Sequence, residues 1–394
     1  TENDVLILKL GLEAYVKASV AATGLNSLDS TTVAGAVQKE ILTHYLKPET
    51  PLAVLSADEA KFVRRGFFGG RTEIFNDCFE LSPEQIAAGW KIGYHDVVSE
   101  YPTVMYYTDL PYGQPEIIDS AMLSECEIKS PADCEETIRN AYCGFAEVDI
   151  TPPRDLVHPV LAEKGAKLTF NLNAKVKQVY TICELMAALD RGYKITRIYE
   201  IQKYQHSKDM FKDFINVHLK GKIESNGRID DQEKLASFKL ECKERYGFDI
   251  DDPVDNPGRK AISKISLNTP WGKFAQSTEN SMERVCDPKQ WADMLRKHKQ
   301  GLVRIKNEAL IGSKMHVAYT DFRESENGNF RRNVALAAYV TAQARLWLLN
   351  GLETVGSYAL GCDTDSVMYA LPPGKTFALP RGKHLGEWED AFDS

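Results

Sequence analysis

The stretch Gly361-Cys362-Asp363-Thr364-Asp365-Ser366-Val367 sets two carboxylates one residue apart at the end of an apolar run. Alternate side chains of a strand point the same way, so Asp363 and Asp365 are expected to share one face. Two acids on one edge repel each other unless a cation lies there, and a tight hairpin tip holds them rigidly. Such a pair is half of what a two-metal phosphoryl-transfer site needs. The best candidate for the other half is Asp96, in Tyr94-His95-Asp96-Val97-Val98-Ser99-Glu100-Tyr101-Pro102. For Asp-Thr-Asp alone, the plain alternative is a turn of solvated acids.

Asp-x-Asp-x-Val is also the nucleophile loop of haloacid-dehalogenase-like phosphatases. That loop opens its domain, and too little sequence follows Asp365 to build a doubly wound sheet after it. The 394 residues are enough for two or three domains and a large core. A hydrophobic content of 43% fits a globular protein rather than a disordered one. No apolar run is long enough to span a membrane, and the N-terminus lacks the basic start and apolar core of a signal peptide. It also lacks an initiator Met, as expected of a fragment or excised domain. The 8 cysteines are scattered without a Cys-x-x-Cys pair, which points away from zinc and towards reduced intracellular thiols.

The net charge of −8 argues mildly against nucleic-acid binding, so local charge has to carry that reading. Basic clusters occur at Lys61 to Arg65 with Arg71, at Arg259 and Lys260 with Lys264 and Lys273, and at Arg296 to Lys299. Most such runs are solvated faces. The first interleaves with Phe67-Phe68-Gly69-Gly70, which supplies rings for stacking, close backbone approach and arginines for phosphate.

Spacing predicts helix over 4–46, with Val5, Leu8, Leu12 and Tyr15 on one face, and a strand over 91–107 that turns at Pro102. Residues 108–160 read as long connections. Strands follow at 168–180 and 193–201 around a short helix at 183–189, then charged helices over 208–246 and an acid-rich break at 249–257. A helix over 259–269 precedes a hairpin at 302–322, Val303 to Ile305 against Met315 to Tyr319. Arg331 to Leu352 is the clearest amphipathic helix, and it feeds the strand bearing Asp363. Lys260, Lys264 and Asn268 line one face of the 259–269 helix, with Trp271 one turn on. Stacked ammonium groups repel unless a polyanion such as a triphosphate neutralises both. Pro270 stops or kinks the helix, and Gly272 permits close approach of a backbone or base pair.

In chain order, Asp96-x-x-Ser99-x-Tyr101-Pro102, Lys264-x-x-x-Asn268-x-x-Trp271-Gly272 and Asp363-Thr364-Asp365-Ser366 resemble motifs A, B and C of family B DNA polymerases. Trp271 to Phe274, the run Arg64 to Glu73 and the helix Phe211 to Gly227 resemble the protein-primed branch, of the Polinton/Maverick or linear-plasmid type. Asp4-Val5-x-x-Leu8 looks like the tail of the third exonuclease motif.

The resemblance implies an α+β fold. It has a right-hand palm (an antiparallel sheet backed by helices), helical fingers, an insertion between motifs A and B and a truncated thumb. The implied divisions are 1–60 as a remnant of the exonuclease connection, 61–114 as template loop and palm, and 115–255 as an insertion like the terminal-protein region. After these come fingers at 256–300, then palm and the start of the thumb at 301–394. Asp96 and Asp365 would bind two Mg2+ ions, with Mn2+ an alternative; the Val97 carbonyl would be a further ligand and Asp363 would stand beside them. Lys260 and Lys264 would neutralise the triphosphate, Tyr101 would reject a 2′-hydroxyl, and Asn268 and Trp271 would line the nascent base pair. Arg65, Phe67, Gly69, Gly70, Arg71, Gly272 and Lys273 would contact DNA. Implied partners are template and primer DNA, dNTPs and a terminal (priming) protein, without a membrane, at an intracellular site that could be nucleus, mitochondrion or cytoplasm.

Departures from the family pattern are Glu100 for Leu, Gly361 for Tyr before motif C, Trp271 for Tyr and Phe67 for Tyr. No Tyr follows Tyr369, so the thumb's Lys-x-Tyr motif is missing, and so are the first two exonuclease motifs. Two alternatives stand beside the polymerase core. One is an RNA polymerase or reverse transcriptase of the same palm type, disfavoured by Asp-Thr-Asp-Ser and by Tyr101. The other is a fragment that binds nucleotide and DNA without extending a primer.

Overall fold

The computed structural model describes residues 2–125, 128–276, 282–321 and 332–392. Cys126 and Arg331, the latter the expected start of the amphipathic helix, lie outside them.

The centre is an antiparallel 5-stranded sheet in the order Thr72–Ile74, Ala359–Asp363, Ser366–Leu371, Lys91–Val97, Trp388–Asp390. One face is covered by the helix Val334–Val355, whose Leu348, Leu352 and Val355 meet Val97, Val367 and Tyr369. Gly351 allows this approach, because a Cβ there would come within 2.4 Å of the Trp388 indole. The helix is buried almost all round rather than amphipathic. Its other sides meet the helices Ala57–Arg65, Glu100–Tyr107 and Pro270–Ala275, so composition rather than a stripe marks it as core.

Residues 108–160 are not mainly connection. Leu110–Ile118, Lys194–Ser207, Gly144–Thr151 and Lys175–Thr181 form, in that order, a 4-stranded antiparallel sheet. Pro111 and Pro115 hid the first strand, and they are tolerated because it lies at an edge. Ser130, Pro131 and Asp133, which look like loop chemistry, cap the helix Pro131–Ala141. The strand expected over 168–180 is two strands, Leu168–Phe170 and Lys175–Thr181, parted where Asn171 binds Lys175 at 2.5 Å.

Helix Lys212–Glu224 packs along Pro257–Asn268, not on that sheet, so a division at 255 separates a helix pair. Close contact is possible because Gly221 leaves room for the Ser263 hydroxyl, which would lie 2.8 Å from a Cβ. The hairpin Val303–Ile311/Lys314–Asp321 pairs Ile305 with Tyr319, and it joins Met282–Cys286 and the helix Pro288–Lys299 around Cys286, Met294, Val303 and Val317. It therefore stands apart from the palm sheet.

At the N-terminal end, the expected helical stretch is Glu2–Thr23, the turn Ser27–Asp29, Val33–Glu40 and its π-helical continuation Ile41–Tyr45. Val5, Leu8 and Leu12 face outwards, 68%, 63% and 40% exposed; periodicity predicted the helix but not what covers its face. No helix among the described residues is long and apolar enough to cross a membrane.

Candidate active site

Asp96 stands near the end of strand Lys91–Val97, opposite Ser366 on one side and Glu389 on the other. The Val97 amide donates to the Asp365 carbonyl at 2.8 Å, which joins the first acid's strand to the turn bearing the second. The strand does not run to a turn at Pro102. It ends at Val97, Ser99 takes a left-handed conformation (φ 54°, ψ 60°), and helix Glu100–Tyr107 begins. Pro102 sits in the first helical turn, where a missing N–H costs nothing.

Asp363 and Asp365 do not occupy alternate positions of one strand. Asp363 ends strand Ala359–Asp363, and Asp365 lies on the turn before Ser366–Leu371, with Thr364 at φ 55°. Asp363 is exposed and accepts from the hydroxyls of Thr72 at 2.9 Å and Thr364 at 3.1 Å. Asp365 is more enclosed. Burial raises its carboxyl above the usual range, and Asp363 adds to the effect. Asp96 is pushed up to about 6 by burial, then by Asp365 and Glu389, and its Oδ1 is buried without a hydrogen-bond partner. An orphaned carboxylate oxygen on an acid electrostatically coupled to a second acid is a candidate donor set for a hard cation. Among the described residues no three His, Cys, Asp or Glu side chains gather as a metal site. A cation here would therefore take two carboxylates and complete its shell with main-chain, water and substrate oxygens, as Mg2+ commonly does.

The two lysines expected on the helix Pro257–Asn268 are there, Lys260 half-buried and Lys264 exposed, with Asn268 exposed one turn further. Thr269 closes that helix and Pro270 opens the next, which carries Trp271 and the half-buried Gly272 and Lys273. The Trp271 ring lies 4.6 Å from that of Tyr101, tilted 31°, so motifs A and B meet through two aromatic rings. Nothing lies within 4 Å of where a Gly272 Cβ would be.

Lys222 was not singled out from sequence. It comes from the helix paired with Pro257–Asn268, donates to the Ser99 hydroxyl at 2.7 Å, and senses Lys264, Lys260, Glu389 and Asp96. Burial first, and then Lys264, lower it to about 8. The segment Phe211 to Gly227 did attract notice, but no periodicity says which of its lysines turns inwards.

The loop after helix Ala57–Arg65 is redefined by what it touches. Arg65 pairs with Glu147 and donates to the Lys177 carbonyl. Phe67 is half-buried and Gly69 exposed. A Cβ on Gly70 would come within 2.9 Å of Thr364, so this glycine is needed where the loop crosses the Asp363–Asp365 turn. Arg71 is a correction. It is 1% exposed, donates to Glu73 at 2.6 Å and the Pro159 carbonyl at 2.8 Å, and lies over the Phe170 ring, which leaves it no access to a phosphate. Its backbone carbonyl accepts from the Thr364 amide at 2.8 Å, so the loop steadies motif C as an edge strand.

Arg345 was also missed. It is 3% exposed, binds Glu184 through Nε at 3.0 Å and Nη2 at 2.7 Å, and donates from Nη1 to the carbonyls of Phe68 at 2.6 Å and Gly69 at 2.8 Å. A lone arginine in an apolar helix is the sequence signal that could have found it. Arg345→Met should cost about 3–5 kcal/mol, because Glu184 is left buried and unpaired. Equilibrium urea unfolding measures this, and a loss under about 1 kcal/mol rules the pairing out as a main support.

The family described as "DNA polymerase type B, organellar and viral" matches residues 1–240. The chain belongs to that family. A "Probable DNA polymerase" of Agaricus bitorquis is 21% identical over 370 residues, 86% of this chain and 39% of its own length. Phi29 DNA polymerase complexed with primer-template DNA and incoming nucleotide superposes with a TM-score of 0.58 at 17% identity, over 92% of this chain and 53% of that one. Its binary complex with primer-template DNA gives 0.56. This type B polymerase chain thus spans about half the length of the solved relatives. Its shared fold agrees with the palm expected from the motifs. Gly361, the departure before motif C, lies against the neighbouring edge strand: a Cβ there would come within 3.1 Å of the Glu73 carbonyl.

Proposed function

We propose that this polymerase chain performs template-directed transfer of dNMP to a primer 3′-hydroxyl, or to a hydroxyl of a priming protein, in the DNA replication of a mobile element, plasmid or virus. The observation that supports the reading is the buried, orphaned Asp96 oxygen, on a carboxyl that is electrostatically coupled to Asp365 and to Lys222, with Lys222 coupled in turn to Lys260 and Lys264. Asp96 and Asp365 would hold two Mg2+ ions, which when bound lower the pKa of the attacking hydroxyl and stabilise the leaving pyrophosphate. Lys222, Lys260 and Lys264 bind and orient the triphosphate, and the Tyr101–Trp271 pair sets the sugar and base plane. Template-coded dNTP incorporation in a primer-extension assay tests the proposal; incorporation independent of the template base refutes it.

Sugar selection follows from Tyr101. Its ring is fixed by Trp271 and by burial, so a 2′-hydroxyl meets a wall that cannot move. Tyr101→Val should raise rNTP incorporation by about 10²-fold relative to dNTP, on the scale of a lost steric contact. An unchanged dNTP/rNTP ratio, with a shift on Glu100→Leu instead, assigns the gate to Glu100.

Residues 115–255 are the region we propose to seat the priming protein. The 4-stranded sheet and its helices make it a surface held in shape. Limited proteolysis should spare 175–207 while cutting loops; rapid, uniform cleavage across the region makes it a spacer.

A further inference from the structure

At the end of the central sheet remote from the acids lies a cavity of about 490 Å3. Ala359 and Leu360, which line it, open the strand that ends at Asp363, and Ala370 lines it near the end of Ser366–Leu371. At the rise of a strand, Leu360 and Asp363 are roughly 10 Å apart. The walls are aromatic: Phe75, Phe79, Trp90 and Tyr358, together with His158. Rings that merely sealed the sheet end would close on one another, whereas these leave a void and an unsatisfied polar atom.

That atom belongs to His158, which is 4% exposed. Its Nε2 lies 3.1 Å from the Gly356 carbonyl, and a carbonyl only accepts, so Nε2 carries the hydrogen. Burial holds the imidazole below the ordinary histidine value, so it is neutral at pH 7 and Nδ1 presents a lone pair. Nδ1 is buried without a hydrogen-bond partner. The wall also offers donors. Gln85 accepts from the Ser82 amide through Oε1 at 2.9 Å, which leaves its NH2, and Trp90 has an indole N–H. Stacking surfaces with two donors and one acceptor at their rim match a nucleobase, whose edge carries both acceptors and N–H donors. A tryptophan from a partner protein would bring one donor and no acceptor, and a tyrosine a single hydroxyl, so either leaves part of the wall unused.

We propose that this cavity binds a nucleobase, stacked among Phe75, Phe79, Trp90 and Tyr358 and donating to Nδ1 of His158. Two sources carry that chemistry, a free nucleoside and an unpaired DNA strand. Bound there, a strand is held at the base of the palm, clear of the Asp96–Asp365 pair, and the site does not depend on the chemistry proposed for those acids.

Quenching of tryptophan fluorescence in the full chain tests this, with deoxyadenosine and a short oligo(dA) as probes, deoxyribose and an abasic oligomer as controls, and EDTA throughout. Both controls should be silent and deoxyadenosine should quench saturably. Trp90→Phe keeps a ring to stack on and should lose most of the quenching. His158→Phe should weaken deoxyadenosine about fivefold, the order of one hydrogen bond. Phe79→Leu, which leaves Gly356 and His158 untouched, should weaken it about tenfold through lost stacking, with an unchanged melting temperature. Displacement of deoxyadenosine by oligo(dA) assigns the site to an unpaired strand, and quenching by deoxyadenosine alone assigns it to the free nucleoside. No quenching by either probe, quenching unchanged in Trp90→Phe, or affinity unchanged in both His158→Phe and Phe79→Leu overturns the inference. So does displacement of deoxyadenosine by N-acetyltyrosinamide at equal concentration, which makes the site one for a protein side chain.

Discussion

Asp365→Asn should bind primer–template DNA with nearly wild-type affinity in EDTA yet join no nucleotide to it. The substitution keeps the side chain's size and removes one of the two coupled negative charges, on Asp96 and Asp365. Asp96, pushed up to about 6 partly by Asp365, should fall back towards the usual carboxylate range at the same time. A single-turnover rate at least 10³-fold below wild type is expected, the order of losing a metal-borne charge stabilisation in the transition state. Extension within tenfold of wild type sinks the assignment. Asp363→Asn should be milder, because Asp363 is exposed and already held by Thr72 and Thr364.

Lys222→Ala should lower kcat/KM for dNTP by about 10²–10³, the scale of one preorganised contact to developing charge. The pH dependence separates a charge from a spacer. Burial and Lys264 hold Lys222 down to about 8, so in the free protein it loses its proton as pH rises through that value. The wild-type kcat/KM for dNTP should therefore decline above about pH 8. Lys222→Arg, which keeps its proton, should lack this limb. Stability moves oppositely. The folded state binds fewer protons than the unfolded one between about 8 and the ordinary lysine value of about 10.4, so stability rises with pH across that window, and below it the cost is fully present. A kcat/KM profile identical for wild type and Lys222→Arg refutes a phosphate-binding charge at this position.

The motifs legible in the sequence were those where chemistry and local geometry agree. Asp96, Lys264, Asn268, Trp271, Asp363 and Asp365 could be placed in order because each motif is a short contiguous stretch whose spacing is visible in the sequence, although each one crosses from one element to the next. Tertiary pairing was not legible in the same way. Arg71 looked like a phosphate ligand because it ends a basic, glycine-rich run, but Glu73 and the Pro159 carbonyl claim it. The edge strand Leu110–Ile118 was read as connection because two prolines mask a pattern that only its edge position permits. Lys222 and Arg345 act on elements far from them in sequence, so no window containing either shows what it faces. Asp365 was placed on the strand face of Asp363 because the two stand one residue apart at the end of an apolar run, whereas the left-handed Thr364 turns the chain between them.

The central sheet is assembled from segments far apart along the chain: 72–74, 91–97, 359–371 and 388–390. Asp96 has one lateral strand neighbour from Ser366–Leu371 and the other from Trp388–Asp390. Loop closure of this span has to precede any favourable contact at the site, which makes the sheet a slow and late event in folding. Helical pairs such as Lys212–Glu224 with Pro257–Asn268, and the local hairpins, can form before it. During synthesis on the ribosome, the nascent chain would carry its lysine-bearing helix pair well before its acids have a scaffold. On the proposed reading, the phosphate-binding lysines would be in place early, and the paired acids only once the strand Trp388–Asp390 has joined the sheet.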